Sequence, residues 1–232
     1  MHWKCLLLTA LGVSYEVSAT FHQEAPLLLT ATDNYNCTGI TNTSHTDKYV
    51  CGDERLGPKD LPNTLPLLDV VYKYHPFGKK TPREFLNKWT HHDGSYKYPL
   101  LNGFQLDIDG VPILGNMTLV VGTTVDRFGS ESGQYVSAAD APFSQRSLPP
   151  SSLDAPVNDK RYPYNYHIYT VNREFTVIGG PIAPWFDQPG LGAQYFLGAT
   201  ETINGLKEKG YLKELNLTEL GTGPDISSPY EL

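Results

Sequence analysis

The chain has 232 residues, a formal net charge of −7 and 12% aromatic residues. Its length fits one domain, or one domain with a small appendage. An aromatic-rich chain without long charge runs excludes a disordered protein. The 25 acidic residues outnumber 18 basic ones, and no basic cluster occurs, which excludes a nucleic-acid binder; no apolar stretch reaches the length of a membrane span.

The first element is a leader. Lys4, the apolar run from Cys5 to Val13 and the small residues Val17-Ser18-Ala19 have the three-part form of a secretory signal peptide, cleaved after Ala19. Cleavage removes Cys5 and leaves Cys37 and Cys51. An even pair in an oxidising compartment reads as one disulfide. The pattern Asn-x-Ser/Thr occurs at Asn36, Asn42, Asn116 and Asn216, which predicts a secreted glycoprotein carrying these asparagines on its surface.

Residues 20–95 form a turn-rich N-terminal extension that holds both cysteines. Thr81-Pro82-Arg83-Glu84 is a capping box with proline at the first helical position. It predicts a helix from Pro82 to about His91, with Phe85 and Trp89 on one side. Residues 96–215 are β-rich. Asp109-Gly110 between Phe104–Ile108 and Val111–Leu114 predicts a hairpin. Thr118–Val125, Tyr166–Val171 and Glu174–Ile178 have strand composition. Thr202–Lys209 resembles a short helix stopped by Gly210, and residues 216–232 read as an extended tail. The expected class is α+β: a central antiparallel sheet with few helices, behind a small disulfide-linked N-terminal appendage.

Several short motifs fail. Gly190-Leu191-Gly192 lacks the third glycine and the long helix of a dinucleotide fingerprint. Gly129-Ser130-Glu131-Ser132-Gly133 centres on glutamate, so it is no nucleophile elbow. Asp107-Ile108-Asp109-Gly110 lacks the rest of a calcium loop, and His91-His92-Asp93 has no zinc-spaced partner.

Three loop stretches remain: Asp126–Gly133, Pro142–Pro150 and Gly180–Gln194. They carry two arginines, whose planar forks suit a pyrophosphate. Phe128 and Trp185 offer faces for a planar heterocycle. The Gln194 amide both donates and accepts, which suits a carboxamide or a ribose hydroxyl. The same residues admit a plainer reading: Arg127 pairs with Asp126 or Glu131, and Trp185 packs in the core.

The order and spacing of Tyr98-Pro99, Asn102-Gly103-Phe104, Asp126-Arg127-Phe128-Gly129-Ser130-Glu131, Pro142-Phe143 to Arg146 and Leu148-Pro149-Pro150, and Ala183-Pro184-Trp185-Phe186 to Gln194 resemble the tuberculosis necrotizing toxin family of NAD glycohydrolases. With its leader and sequons the chain is most similar to the secreted fungal members. The resemblance covers residues 98–215 and implies hydrolysis of the nicotinamide–ribose bond of NAD+. Arg127 and Arg146 match substrate-contacting arginines, Gln194 the catalytic glutamine, Phe128 the aromatic after the first arginine, and His167 a histidine of some members. Nicotinamide leaves a cationic substrate as a neutral molecule, so this reaction needs neither a general acid nor a cofactor. The resemblance further implies a homodimer, a place outside the cell or on the cell or spore surface, and calcium near the C-terminus, where Glu214, Glu219 and Asp225 offer oxygen ligands. The sequence leaves open whether NADP+ is also accepted. Capture of the same intermediate by a protein or by adenine would make a transferase or cyclase. A glycosylated surface protein that only binds nucleotides is the non-catalytic alternative. Asp187 and Leu191 replace glycines of the family loop.

Overall fold

The computed structural model describes residues 35–155 and 161–217. The expected leader (1–19), the start of the extension, Glu219, Asp225 and most of the tail lie outside the described residues.

A seven-stranded, wholly antiparallel sheet organises the described chain: β1 (Gly115–Leu119), β2 (Thr124–Phe128), β3 (Tyr135–Ala138), β4 (Tyr166–Val171), β5 (Phe175–Pro181), β6 (Ala193–Phe196) and β7 (Leu212–Glu214). The spatial order is β1-β5-β6-β3-β2-β4-β7. The helices among the described residues are short: α1 (Leu67–Val70), α2 (Pro82–Trp89) and α3 (Ile203–Glu208). This is the α+β architecture expected from the sequence, and Cys37 and Cys51 are disulfide-bonded.

The apolar run Thr118–Val125 is two strands, not one. Gly122 adopts φ +89, and Thr123 N–H donates to the Val120 carbonyl, so the chain turns in mid-run. β1 pairs with β5, whereas β2 pairs with β3 and β4 on the far side of the sheet. The expected hairpin is reduced as well. Its Asp109-Gly110 turn forms, with Asp107 Oδ1 accepting from the amides of Asp109 and Val111. Pairing stops at one Leu106–Pro112 bridge, because Gln105 N–H turns away from Ile113 to the Pro181 carbonyl.

α2 begins as expected: the Thr81 hydroxyl accepts from Glu84 N–H and the Glu84 carboxylate accepts from Thr81 N–H. It ends at Trp89, two residues early, where Thr90 turns extended and its hydroxyl bonds the Leu86 carbonyl. α3 is capped by the Thr202 hydroxyl on Gly205 N–H and followed by Gly210 at φ +74.

Alternation along the strands gives the sheet two buried faces. Val125, Val136, Tyr169 and Val171 face α3 through Ile203 and Leu206. Phe128, Tyr166 and Ile168 face Phe143, Leu153 and the α1 residues Leu67 and Val70. A third cluster joins Phe77, Phe85, Leu86 and Trp89 of the N-terminal segment to Phe186 of the loop before β6. That contact fixes the loop leading to Gln194.

Asp154 follows a short 3-10 turn, Pro150–Leu153, and its Oδ1 is buried without a hydrogen-bond partner. Burial, with Glu54 adding to it, pushes its carboxyl up from 3.8 to about 8. The folded chain therefore holds a proton that the unfolded chain releases. This contribution to stability is full below pH 3.8 and is lost as pH rises through about 8. Asp154→Asn is expected to flatten that decline. Urea midpoints at about pH 5 and about pH 9 check this: the wild type should lose more between them than the variant.

Candidate active site

The family-like arginines do different work. Arg127, at the end of β2, is half-buried; its Nε donates to the Ser130 carbonyl at 2.7 Å and its Nη1 to the Tyr135 carbonyl at 2.9 Å. No carboxylate among the described residues lies within salt-bridge distance of it, so the ion pair with Asp126 or Glu131 does not form. Burial lowers its pKa, yet guanidinium stays charged at any physiological pH. Gly133 is what lets it lie flat on the Ser130–Gly133 turn, since any Cβ there would collide with Nη2. A positive charge anchored on carbonyls and unneutralised by protein is a ready anion contact.

Arg146 is 3% exposed and Asp126 0%. Nη1 and Nη2 of Arg146 clasp the two oxygens of Asp126 in a bidentate pair, and Nη2 also bonds the Ala141 carbonyl. Tyr166 donates to the same carboxylate at 2.9 Å. Desolvation raises the Asp126 pKa while Arg146 and Tyr166 oppose the rise. The charge of Arg146 is thus balanced inside the protein, and the two arginines are not an equivalent pair of clamps. Phe128, 3% exposed, packs between Phe143 and Tyr166 with the Arg146 guanidinium 5.2 Å above its ring. Its ring is part of the core and belongs to the support of Arg146.

Gln194 opens toward a different set of neighbours. It lies on β6 opposite Ser137, which in turn faces Asp126 across β3 and β2. Arg127, one residue further on, pairs with His167, so register sends the Gln194 and Arg127 side chains to opposite faces. The two are joined through Tyr135, whose carbonyl holds Arg127 and whose hydroxyl donates to Asn102 Oδ1 at 2.8 Å. Gln194 Nε2 donates to the Asn102 carbonyl at 2.8 Å. Only the NH2 end of an amide can serve that carbonyl, so Gln194 Oε1 is left as an acceptor.

His167 sits on β4, 5% exposed, with Nδ1 4.0 Å from Glu131 and 3.5 Å from Glu214. Lys207 of α3 bridges these carboxylates at 2.6 and 2.7 Å, and Tyr169 donates to Glu131 at 2.7 Å. The ligand atoms of Glu131, His167 and Glu214 lie within 4.8 Å of one another, a spacing compatible with a metal, but the Lys207 ammonium already bonds both carboxylates and offsets one of their two charges. A cavity of about 500 Å³ opens beside His167, lined by Tyr162, Glu214 and Asn216 among others. Burial lowers the His167 pKa; the carboxylates raise it and Lys207 lowers it. Lys207→Met is expected to raise the His167 pKa, read from its ring C–H shifts in an NMR titration; an unchanged or lower value would show that the two groups are not coupled.

Trp185 donates from Nε1 to the Lys97 carbonyl at 2.6 Å and packs on Trp89. Asp187 and Leu191, in place of family glycines, both take left-handed backbone at φ +57 and +71. Asp187 is held there by Lys80, Lys88 and the Trp89 indole, whereas the Leu191 side chain is 65% exposed and its backbone is held by its N–H to the Ile182 carbonyl at 2.8 Å. Sequence reading assigned no role to Tyr135, Asn102 or Lys207. The Asn102-Gly103 pair was the available signal, because asparagine and glycine mark positive φ.

Comparison with known proteins places the chain. Residues 118–215 match the family model described as tuberculosis necrotizing toxin. The chain is 49% identical, over 197 residues, to the conidial surface nicotinamide adenine dinucleotide glycohydrolase of Aspergillus fumigatus, a match covering 84% of this chain and 82% of that protein. The chain belongs to the tuberculosis necrotizing toxin family. The structure of tuberculosis necrotizing toxin with its immunity factor aligns at 19% identity and a TM-score of 0.38, covering 74% of this chain and 82% of that one. The structure of Rhs1-CT in complex with its cognate immunity protein aligns at 17% identity and a TM-score of 0.31, covering 51% of this chain and 83% of that one. The necrotizing-toxin match begins within β1, at Thr118, ends just past β7, at Leu215, and contains Arg127, Arg146, His167, Trp185 and Gln194. Asn102 and the disulfide lie before it.

Proposed function

We propose that this member of the necrotizing toxin family is a surface NAD+ glycohydrolase. Water replaces nicotinamide at the ribose anomeric carbon, giving neutral nicotinamide, ADP-ribose and one proton. The observation that carries this reading is 49% identity across most of the chain to a conidial surface glycohydrolase of the same dinucleotide. Arg127 and Gln194 leave the sheet on opposite faces and are linked through Tyr135 and Asn102, so their parts in this reading are separate. Arg127 offers an unneutralised guanidinium to the diphosphate, supplying binding energy remote from the reacting bond. Gln194 presents Oε1 to a ribose hydroxyl or to the nicotinamide amide, orienting the glycosidic bond as oxocarbenium character develops. Arg146 and Phe128 act from beneath, as the support of the Arg127 strand. His167 lines the cavity beside that strand and Trp185 holds the loop before Gln194.

The same reading carries the organisation of the chain: leader 1–19, extension 20–95, catalytic region 96–215 and tail 216–232. Secretion and glycosylation at Asn36, Asn42, Asn116 and Asn216 belong to it, and all four asparagines are exposed. Calcium at Glu219 and Asp225, with Glu214, belongs to it too, as does NADP+ as a second substrate. We also infer a homodimer, supported by exposed apolar side chains along the edge strand β1 and the turns before it: Leu100 at 86%, Ile108 at 100%, Val111 at 57%, Leu114 at 48% and Met117 at 45%. Exposed apolar side chains clustered in one stretch of chain suit an interaction surface. Light scattering of the wild type and of Ile108→Asp/Leu114→Asp tests it; a monomeric wild type would overturn the dimer.

The deciding experiment is incubation of the purified protein with NAD+, and separately NADP+, with chromatographic separation of products, with and without calcium. Nicotinamide with ADP-ribose is the expected result. Cyclic ADP-ribose or a labelled protein acceptor would replace hydrolysis by cyclisation or transfer on the same site. Absence of turnover in every condition would leave a nucleotide-binding surface protein.

A further inference from the structure

Gln194 is a flexible side chain on a short strand, and something must fix its amide. Among the described residues the device is the turn at Asn102. Leu101, Asn102 and Gly103 take left-handed backbone in succession, at φ +53, +59 and +75. Asparagine tolerates this region and leucine does so at a cost, so three such residues in a row are a strained turn that the surroundings must hold. They do so from both sides. The Gly103 carbonyl accepts from Ala183 N–H at 2.9 Å, Gln105 N–H donates to the Pro181 carbonyl at 2.8 Å, and Phe104 is buried beneath, bridging Ile182. The turn is therefore tied to the end of β5, and the Asn102 carbonyl points at Gln194 Nε2.

The side chain of Asn102 closes the arrangement. Its Oδ1 accepts from the Tyr135 hydroxyl, and the Tyr135 ring stacks on Phe196 of β6 at 5.0 Å. Phe196 lies opposite Tyr135 in the same ladder that places Gln194 opposite Ser137. Tyr135 also gives its carbonyl to Arg127. One residue thus bonds both halves of the site: the guanidinium through its backbone and the Gln194 amide through Asn102.

We propose that Asn102 and Tyr135 are positioning residues for Gln194: the Tyr135 hydroxyl locks the strained Asn102 turn, whose carbonyl orients the Gln194 amide for the ribose–nicotinamide bond. This rests on the reading of Gln194 as catalytic in NAD+ hydrolysis. Neither residue is expected to touch the reacting atoms, so their loss should lower kcat and leave KM for NAD+ nearly unchanged.

The test is steady-state kinetics with NAD+ on Tyr135→Phe, Asn102→Gly, Asn102→Asp, the double variant Tyr135→Phe/Asn102→Gly and Gln194→Ala, with thermal midpoints measured alongside. Tyr135→Phe removes only the hydroxyl. Asn102→Gly keeps the left-handed backbone and removes only the amide. Each is expected to lower kcat about tenfold with KM within about twofold. The double variant should fall no further than the worse single one, because both break one linkage. Asn102→Asp keeps the acceptor and should retain kcat within about twofold. Wild-type kcat in Tyr135→Phe and Asn102→Gly, beside an inactive Gln194→Ala, would overturn the positioning roles and leave the reading of Gln194 intact. Multiplicative loss in the double variant, or a rise in KM at constant kcat, would overturn them as well. Wild-type turnover in Gln194→Ala would remove the reading of Gln194 itself, and the proposal with it.

Discussion

Gln194→Ala is expected to lose about 100-fold or more in NAD+ turnover while the protein keeps its fold, the size of effect seen when one preorganised polar contact to a transition state is removed. The amide is half-buried at the start of β6, and among the described residues its hydrogen-bond partner is the Asn102 carbonyl. Truncation therefore exposes a carbonyl at the surface, where water replaces the lost donor, and stability changes little. Gln194→Glu sharpens the test. It keeps the shape and the Oε1 acceptor, but a carboxylate cannot donate to the Asn102 carbonyl and repels it. Both variants are expected to be slow. Initial rates with saturating NAD+, beside unchanged circular dichroism and melting, check this; a rapid Gln194→Ala enzyme would contradict it.

Arg146→Met is expected to destabilise the protein by about 3–5 kcal/mol, the cost of leaving a buried carboxylate without its partner. Asp126 is fully buried and its oxygens accept from Arg146 and Tyr166. Methionine fills much of the arginine's volume but leaves Asp126 facing apolar surroundings. Burial already raises the Asp126 pKa, and Arg146 is the largest force against that rise. In the variant Asp126 takes up a proton on folding, so the loss of stability grows as pH rises above the carboxylate range. The second replacement Asp126→Asn, added to Arg146→Met, should recover part of the loss. Arg127→Ala provides the contrast. Its guanidinium has no buried carboxylate partner, so urea midpoints should stay near wild type while KM for NAD+ rises. Equal destabilisation by both arginine variants would contradict the division of labour between them.

Much of this protein is legible in its chain. The capping box starts α2 at Pro82 because its bonds are local, spanning three residues. Tyr166–Val171 and the segment beginning near Phe175 are strands because β-branched and aromatic residues alternate there. The pairing of Cys37 with Cys51 follows from there being no other cysteine but Cys5, which falls in the expected leader. The arginine and glutamine loops are recognisable by their motifs. What failed was where the physics is nonlocal. Thr118–Val125 reads as one strand by composition, and only pairing with opposite sides of the sheet shows why Gly122 must break it. The Pro82–His91 helix ends early because Thr90 finds the Leu86 carbonyl.

The family and the antiparallel α+β class were determined by the sequence alone, and with them the candidates Arg127, Arg146 and Gln194, since motif order and strand composition are properties of the chain. Their roles were decided by the tertiary structure. Asp126 and Arg127 are neighbours in sequence, yet strand alternation sends one into the core to balance Arg146 and leaves the other on Ser130 and Tyr135 carbonyls. Tyr135 and Asn102 are 33 residues apart, and Lys207 is 76 residues from Glu131. Nothing in a linear pattern couples such pairs; register and burial bring them together, and burial decides which charges the protein keeps for itself and which it offers to a ligand.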